Sequence, residues 1–265
     1  MDGIQNFMTK STNKYRWLME NGDPRVKDWP LVDSPLITII ACVLYVYGAK
    51  IAGPKLMSNR KPLQLRELML VYNLFMVILN GYIFYQAGIH GWFGKYNLLC
   101  QPMDYSMSVD GYGMARVSWV YFISKFVDFF DTLFFVLRKK NNQISNLHVI
   151  HHSLMPCIVW SGLKFCPGGH GTFSGFLNSF IHIVMYTYYF LAAFGPKVQK
   201  YLWWKKYITT MQMLQFIIVF LHGNLLLIYD CGYPKVYAYE LMCIATLFFI
   251  LFSNYFRQTY VKKRV

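Results

Sequence analysis

His148-Val149-Ile150-His151-His152-Ser153-Leu154-Met155-Pro156-Cys157-Ile158-Val159-Trp160 sets three imidazoles at the head of an apolar run. Positions i, i+3 and i+4 share one face of a helix, so His148, His151 and His152 converge on one patch. The run that follows them reads as membrane-buried. Ionisable groups at that depth are costly to insert and usually serve a function. This stretch therefore predicts a helical membrane protein with a reactive centre inside it.

The rest of the chain agrees. A spanning helix needs about 20 mostly apolar residues. Seven segments qualify, at about 35–53, 64–86, 116–137, 147–165, 172–194, 206–229 and 236–256. Charged residues make up 14% of the chain and apolar residues 55%, against nearer a quarter charged in soluble domains. The expected fold is an all-α membrane protein with seven transmembrane helices, one integral-membrane domain over 1–265. Residues 1–34 are polar, lack an apolar signal region and are expected as a lumenal tail, with 257–265 as a cytosolic tail.

The formal charge is +14, but the bases sit at the ends of apolar runs and form no stripe along a face. That pattern fits interfacial topology and excludes nucleic acid as a partner. With the amino terminus outside the cytosol, Lys50, Lys55, Arg138, Lys139, Lys140, Lys205 and Lys206 fall on the cytosolic side, as does the carboxyl terminus. The opposite loops hold Lys95, Arg116, Lys164 and Lys235. Cys42, Cys157 and Cys243 fall inside predicted helices and read as small apolar residues. Cys100, Cys166 and Cys231 fall on the lumenal side, where oxidation is permitted. A Cys100–Cys231 disulfide is expected, with Cys166 as the competing partner.

The polar residues inside the spans are the candidates for chemistry. Lys125, Asp128, Asp131 and Thr132 lie near one face of the third helix. Each such charge at bilayer centre costs ~2.5–3.5 kcal/mol on insertion scales. Two compatible readings stand: an ion pair that orients helices, or acids that hold histidine tautomers in place. On the fifth helix, Asn178, His182, Met185 and Tyr189 keep one face, with Tyr186 beside them. On the sixth, Thr209, Gln212 and Gln215 present hydroxyl and amide groups inward, for interhelical hydrogen bonds or for a developing oxyanion. A catalytic metal is the alternative for the histidines. Membrane oxygenases use several His boxes, however, and this chain has one box among seven histidines. No metal and no cofactor are expected. Nucleophile-elbow, phosphate-loop, zinc-protease and dinucleotide motifs are absent from the sequence. What remains is imidazole as nucleophile or base. A receptor or transporter would also have buried polar groups, but would not need three histidines on one face beside two acids.

These motifs, in this order, resemble the ELO family of very-long-chain fatty acid elongases. The resemblance rests on Gly53-Pro54-Lys55, Asn59-Arg60-Lys61-Pro62, Tyr72-Asn73, Lys125-x-x-Asp128-x-x-Asp131-Thr132 and Leu137-Arg138-Lys139-Lys140. It continues through the His148–His152 box, Asn178-x-x-x-His182-x-x-Met185-Tyr186 and Thr209-x-x-Gln212-x-x-Gln215. Asp128 departs from it, since the family usually has Glu there. The resemblance implies six of the seven helices in a barrel around a narrow acyl tunnel. It implies a 3-ketoacyl-CoA synthase of the endoplasmic reticulum, which condenses a long-chain acyl-CoA with malonyl-CoA. On that reading His151 is the acyl-accepting nucleophile. His182 assists, Asn178 and Gln212 contact the oxyanion, and Lys125, Asp128, Asp131, His148 and His152 orient the nucleophile. Lys139, Lys140, Lys205 and Lys206 are expected to hold CoA phosphates, and Tyr186, Tyr189 and Gln215 to contact substrate. Lys262 and Lys263 resemble a di-lysine retrieval signal. The expected partners are the lipid bilayer, acyl-CoA, malonyl-CoA, other enzymes of the elongation cycle and a second copy of the chain.

Overall fold

The computed structural model describes residues 2–261, all in helices and connections, with no strand among the described residues. In chain order the helices are α1 (Asp2–Glu20), α2 (Pro35–Tyr47), α3 (Gly53–Met57), α4 (Arg66–Ala87), α5 (Val109–Val127) and α6 (Phe129–Leu137). They continue as α7 (Asn146–Phe165), α8 (Thr172–Ala193), α9 (Pro196–Gln199), α10 (Lys205–Ile228) and α11 (Val236–Phe256). Five segments are long and apolar enough to cross a membrane: Pro35–Met57, Arg66–Trp92, Thr172–Ala193, Lys205–Ile228 and Val236–Val261. Their large apolar side chains face outward. Val43, Val71, Ile78 and Ile228 are between 61% and 72% exposed, which suits lipid as the surrounding solvent. The other two expected spans fall on α5–α6 and α7. They are less apolar because the ionisable side chains are concentrated in them.

Local sequence explains the helix ends and breaks. Ser34 caps α2 by accepting from the Leu36 amide, with Pro35 in the first turn. Pro54 has no N–H to offer the Lys50 carbonyl, and a π turn over Gly48–Ala52 joins α2 to α3 at that point. Gly53 packs so closely on Val136 that a Cβ would meet it at 2.7 Å, so α3 can lie against α6 only with glycine there. The helix of α5 and α6 is interrupted at the single residue Asp128.

The packing follows a circuit. α4 lies on α8, α8 on α10, α10 on α11, α11 on α7, α7 on α5, and α5 back on α4. α2 lies against α7 and α3 against α6, so this segment flanks the circuit. At one end Cys100 and Cys231 form a disulfide that ties the long connection before α5 to the α10–α11 turn. Cys166 is free and buried in the same cluster as Tyr233 and Tyr237.

Part of the amino-terminal segment, residues 21–34, packs on the helices. Beyond α1, Val26 and Val32 are fully buried against Ala115, Phe122, Trp160 and Leu163. Each such burial is worth about 1.5–3 kcal/mol. The Trp160 indole donates to the Val32 carbonyl (3.2 Å) and the Trp119 indole to that of Pro30 (3.1 Å). Arg25 pairs with Asp23 (2.7 Å) and donates to the Asp104 and Ser106 carbonyls. The segment is a strap across the disulfide end. Sequence patterning missed it because its few apolar residues are scattered among prolines and acids. Their partners lie about a hundred residues away. Lys262 and Lys263 lie outside the described residues.

Candidate active site

The His box begins at a helix cap. Ser145 accepts from the His148 amide (3.1 Å), which fixes the first turn of α7 and the direction of the first imidazole. Pro156 sits buried inside α7. Lacking an N–H, it leaves the carbonyl of His152, four residues back, without a helical partner. The three rings pack in sequence. His148 and His152 are 4.2 Å apart between centroids, His152 and His151 5.3 Å, and His151 rests 4.8 Å from Phe248 of α11.

The α5–α6 junction faces the box with a second polar cluster. Lys125 and Asp128 form an ion pair at 3.1 Å with side chains 2% and 3% exposed. The phenol of Tyr186 meets both Asp128 (3.0 Å) and Asp131 (2.7 Å), so one proton faces two carboxyl groups. The Lys125 ammonium lies over the Tyr121 ring at 4.5 Å. Tyr121 in turn donates to the Asn178 side-chain oxygen (3.0 Å). The acids were expected to orient the histidines. Instead they bond Lys125 and Tyr186, and no hydrogen bond joins either acid to an imidazole among the described residues. The contact with the box comes from Thr132, whose hydroxyl lies 2.7 Å from His148 Nε2.

A cavity runs inside the circuit and takes wall residues from α4, α5, α7, α8, α10 and α11. His151, Asn178 and Gln215 are among its wall residues, with His151 against Phe248. Cys166, Tyr233 and Tyr237 line its far end. From Phe248 to Tyr237 along α11 is about 16 Å at the rise of an α-helix. Between those ends the wall is mainly apolar, including Ile83, Val117, Met155, Val219 and Ile244. Glu240 also lines it, a carboxyl that sequence patterning passed over at the edge of an apolar span.

The sequence candidates separate by position. His151, Asn178 and Gln215 line the cavity, whereas His148, His152, Lys125, Asp128 and Asp131 stand behind it. His182 is buried, 5.8 Å from the Tyr186 ring, and its Nδ1 has no hydrogen-bond partner among the described residues. Gln212 turns to the Met185 sulfur (3.6 Å) and not to the cavity wall. Tyr189 is at the exposed margin of α8. Of the four lysines expected at CoA phosphates, Lys139 donates to the Ser58 carbonyl (2.9 Å) and Lys206 lies over Tyr207, while Lys140 and Lys205 are exposed. Among the described residues no three His, Cys, Asp or Glu side chains converge as a metal ion would require. Tyr45 and Tyr121 have no sequence signal beyond a phenol in an apolar run.

Apolar spans around a buried ion pair and an apolar cavity lined by one imidazole, His151, define a multi-pass helical membrane protein. Residues 30–265 match the profile of the ELO (GNS1/SUR4) family, and the chain belongs to that family. It is 52% identical over 260 residues to very long chain fatty acid elongase 7 of Drosophila melanogaster, covering 97% of this chain and 79% of that protein. It is 45% identical over 261 residues to elongase 7 of Rattus norvegicus, covering 98% and 93%. With human elongase 1 the identity is 43% over 257 residues, covering 96% and 92%.

Proposed function

We propose that this chain is the condensing enzyme of fatty acid elongation, joining a long-chain acyl-CoA to malonyl-CoA in the endoplasmic reticulum membrane. The observation that carries the reading is His151 on the wall of an apolar cavity that Asn178 and Gln215 also line. Family membership and the names of the relatives support it.

In this scheme the acyl chain lies in the cavity with its thioester at His151. The imidazole attacks the thioester carbon and CoA leaves as the thiol, giving an acyl-imidazole. Malonyl-CoA then loses carbon dioxide, and the enolate attacks the acyl carbon. The product is a 3-ketoacyl-CoA two carbons longer, with His151 free again. Asn178 and Gln215 are placed to donate to the oxyanion, ahead of Gln212. His182 moves a proton or stabilises the enolate. Acyl-CoA and malonyl-CoA are substrates, and no cofactor enters the scheme. Lys139, Lys140, Lys205 and Lys206 lie at the end opposite the disulfide and hold CoA phosphates. The closed packing circuit supports a six-helix barrel, flanked by α2, with seven spans in all. The carboxyl terminus is then cytosolic. Other enzymes of the cycle and a second copy of the chain are the proposed protein partners.

The test is purified chain in lipid nanodiscs with long-chain acyl-CoA and isotope-labelled malonyl-CoA. A labelled 3-ketoacyl product two carbons longer is expected. Absence of label from any longer acyl product would overturn the reading.

A further inference from the structure

Tyr45 belongs to α2, outside the packing circuit, yet its ring is buried and stacks on Phe129 at 4.3 Å. Its hydroxyl lies 2.9 Å from Thr132 Oγ1, and Thr132 Oγ1 lies 2.7 Å from His148 Nε2. The chain of three groups holds two hydroxyl protons, and their placement can be worked out. Among the described residues the Tyr45 phenol has one hydrogen-bond neighbour, Thr132, so its proton goes there. Thr132 thereby accepts, and its own single proton, which meets no other acceptor among the described residues, goes to His148 Nε2. His148 Nε2 is then an acceptor, and the ring proton sits on Nδ1. The reverse direction would leave the buried phenol proton without an acceptor, an arrangement that costs about 1–3 kcal/mol.

We propose that Tyr45 is a positioning residue of the reaction: through Thr132 it fixes His148 as the neutral Nδ1–H tautomer, and His148 supports His152 and the nucleophile. The proposal rests on the reading of His151 as the acyl-accepting group. A protonated His148 has no lone pair for Thr132, so the relay also opposes charging of the box. The ionisable groups that act on His148 are Asp128 at the α5–α6 junction, Lys50 beyond α2, and His151 and His152 on α7 itself, and all remain in the variants below. Neither Tyr45 nor Thr132 lines the acyl cavity.

In Tyr45→Phe no donor orients the Thr132 hydroxyl, whose proton can turn to the helix carbonyl four residues back, so His148 can donate from Nε2. The kcat for elongation is expected to fall about tenfold, the scale of partners that orient a functional histidine, with KM for acyl-CoA unchanged. The acid limb of the rate profile moves to higher pH. Thr132→Val behaves like Tyr45→Phe, the double variant is no worse than either, and Thr132→Ser restores the wild-type profile. Nitrogen-15 chemical shifts of labelled His148 report Nδ1–H in the wild type and a lost preference in Tyr45→Phe. An unchanged kcat, pH profile and tautomer in a folded Tyr45→Phe overturns the proposal while leaving the condensing-enzyme reading intact. A wild-type chain that forms no longer acyl product overturns that reading, and the positioning role with it, whatever the tautomer.

Discussion

Lys125 and Asp128 face each other at 3.1 Å with almost no solvent contact. Removing one partner leaves the other charged and buried. Asp128→Ala is therefore expected to destabilise the protein by about 3–5 kcal/mol, read as a fall in thermal melting temperature in detergent. The apolar double variant Lys125→Met with Asp128→Leu should recover much of that stability. It should not recover elongation, because Tyr186 keeps only one of its two carboxyl partners. A double variant with full activity would show that the pair is structural alone. Asn178→Ala removes an amide from the cavity wall that also holds His151. Its kcat should fall about 10²–10³-fold, the range seen for an oxyanion donor, with acyl-CoA binding little changed in equilibrium measurements. Sequence patterning found these residues because charges and amides in apolar runs are conspicuous. It could not assign their partners. Thr132 and Tyr45 carry hydroxyls that could bond any nearby carbonyl, and only the meeting of α2, α6 and α7 lines them up with His148.

At the scale of elements, the long apolar helices were legible from length and hydropathy, and their bounds moved by few residues. The one-residue break at Asp128 was not, since neither glycine nor proline marks it. The strap of residues 21–34 was missed for a related reason, as its burial depends on Trp119 and Trp160 and not on its own periodicity. The disulfide end ties the strap, the long connection before α5 and the α10–α11 turn together. The Cys100–Cys231 bridge closes a separation of 131 residues. Cys100→Ser should lower stability by about 2–5 kcal/mol and leave Cys231 open to alkylation, while elongation per folded molecule stays near wild type. Loss of the wild-type bridge in non-reducing mass spectrometry would contradict this account of the end.

The whole molecule places one cavity inside one circuit of helices, with the imidazole near one end and tyrosines at the other. Chain length should then depend on bulk between those points. Ile244→Trp adds volume to the wall about one turn beyond Phe248. The product profile of microsomes fed a range of acyl-CoAs should shift to shorter chains, with the shortest substrate still elongated near the wild-type rate. An unchanged profile would remove the cavity as the acyl site. The sequence could not reveal this lining, because an apolar residue facing a cavity and one facing lipid look alike along a helix. The central claim is that His151 takes the acyl group before malonyl-CoA arrives. Peptide mass spectrometry after incubation with acyl-CoA alone tests it most directly. The account predicts one acyl group on the peptide bearing His151, CoA released in equal amount, and neither in His151→Ala. An acyl-enzyme that persists in His151→Ala, or CoA held back until malonyl-CoA is added, would contradict it.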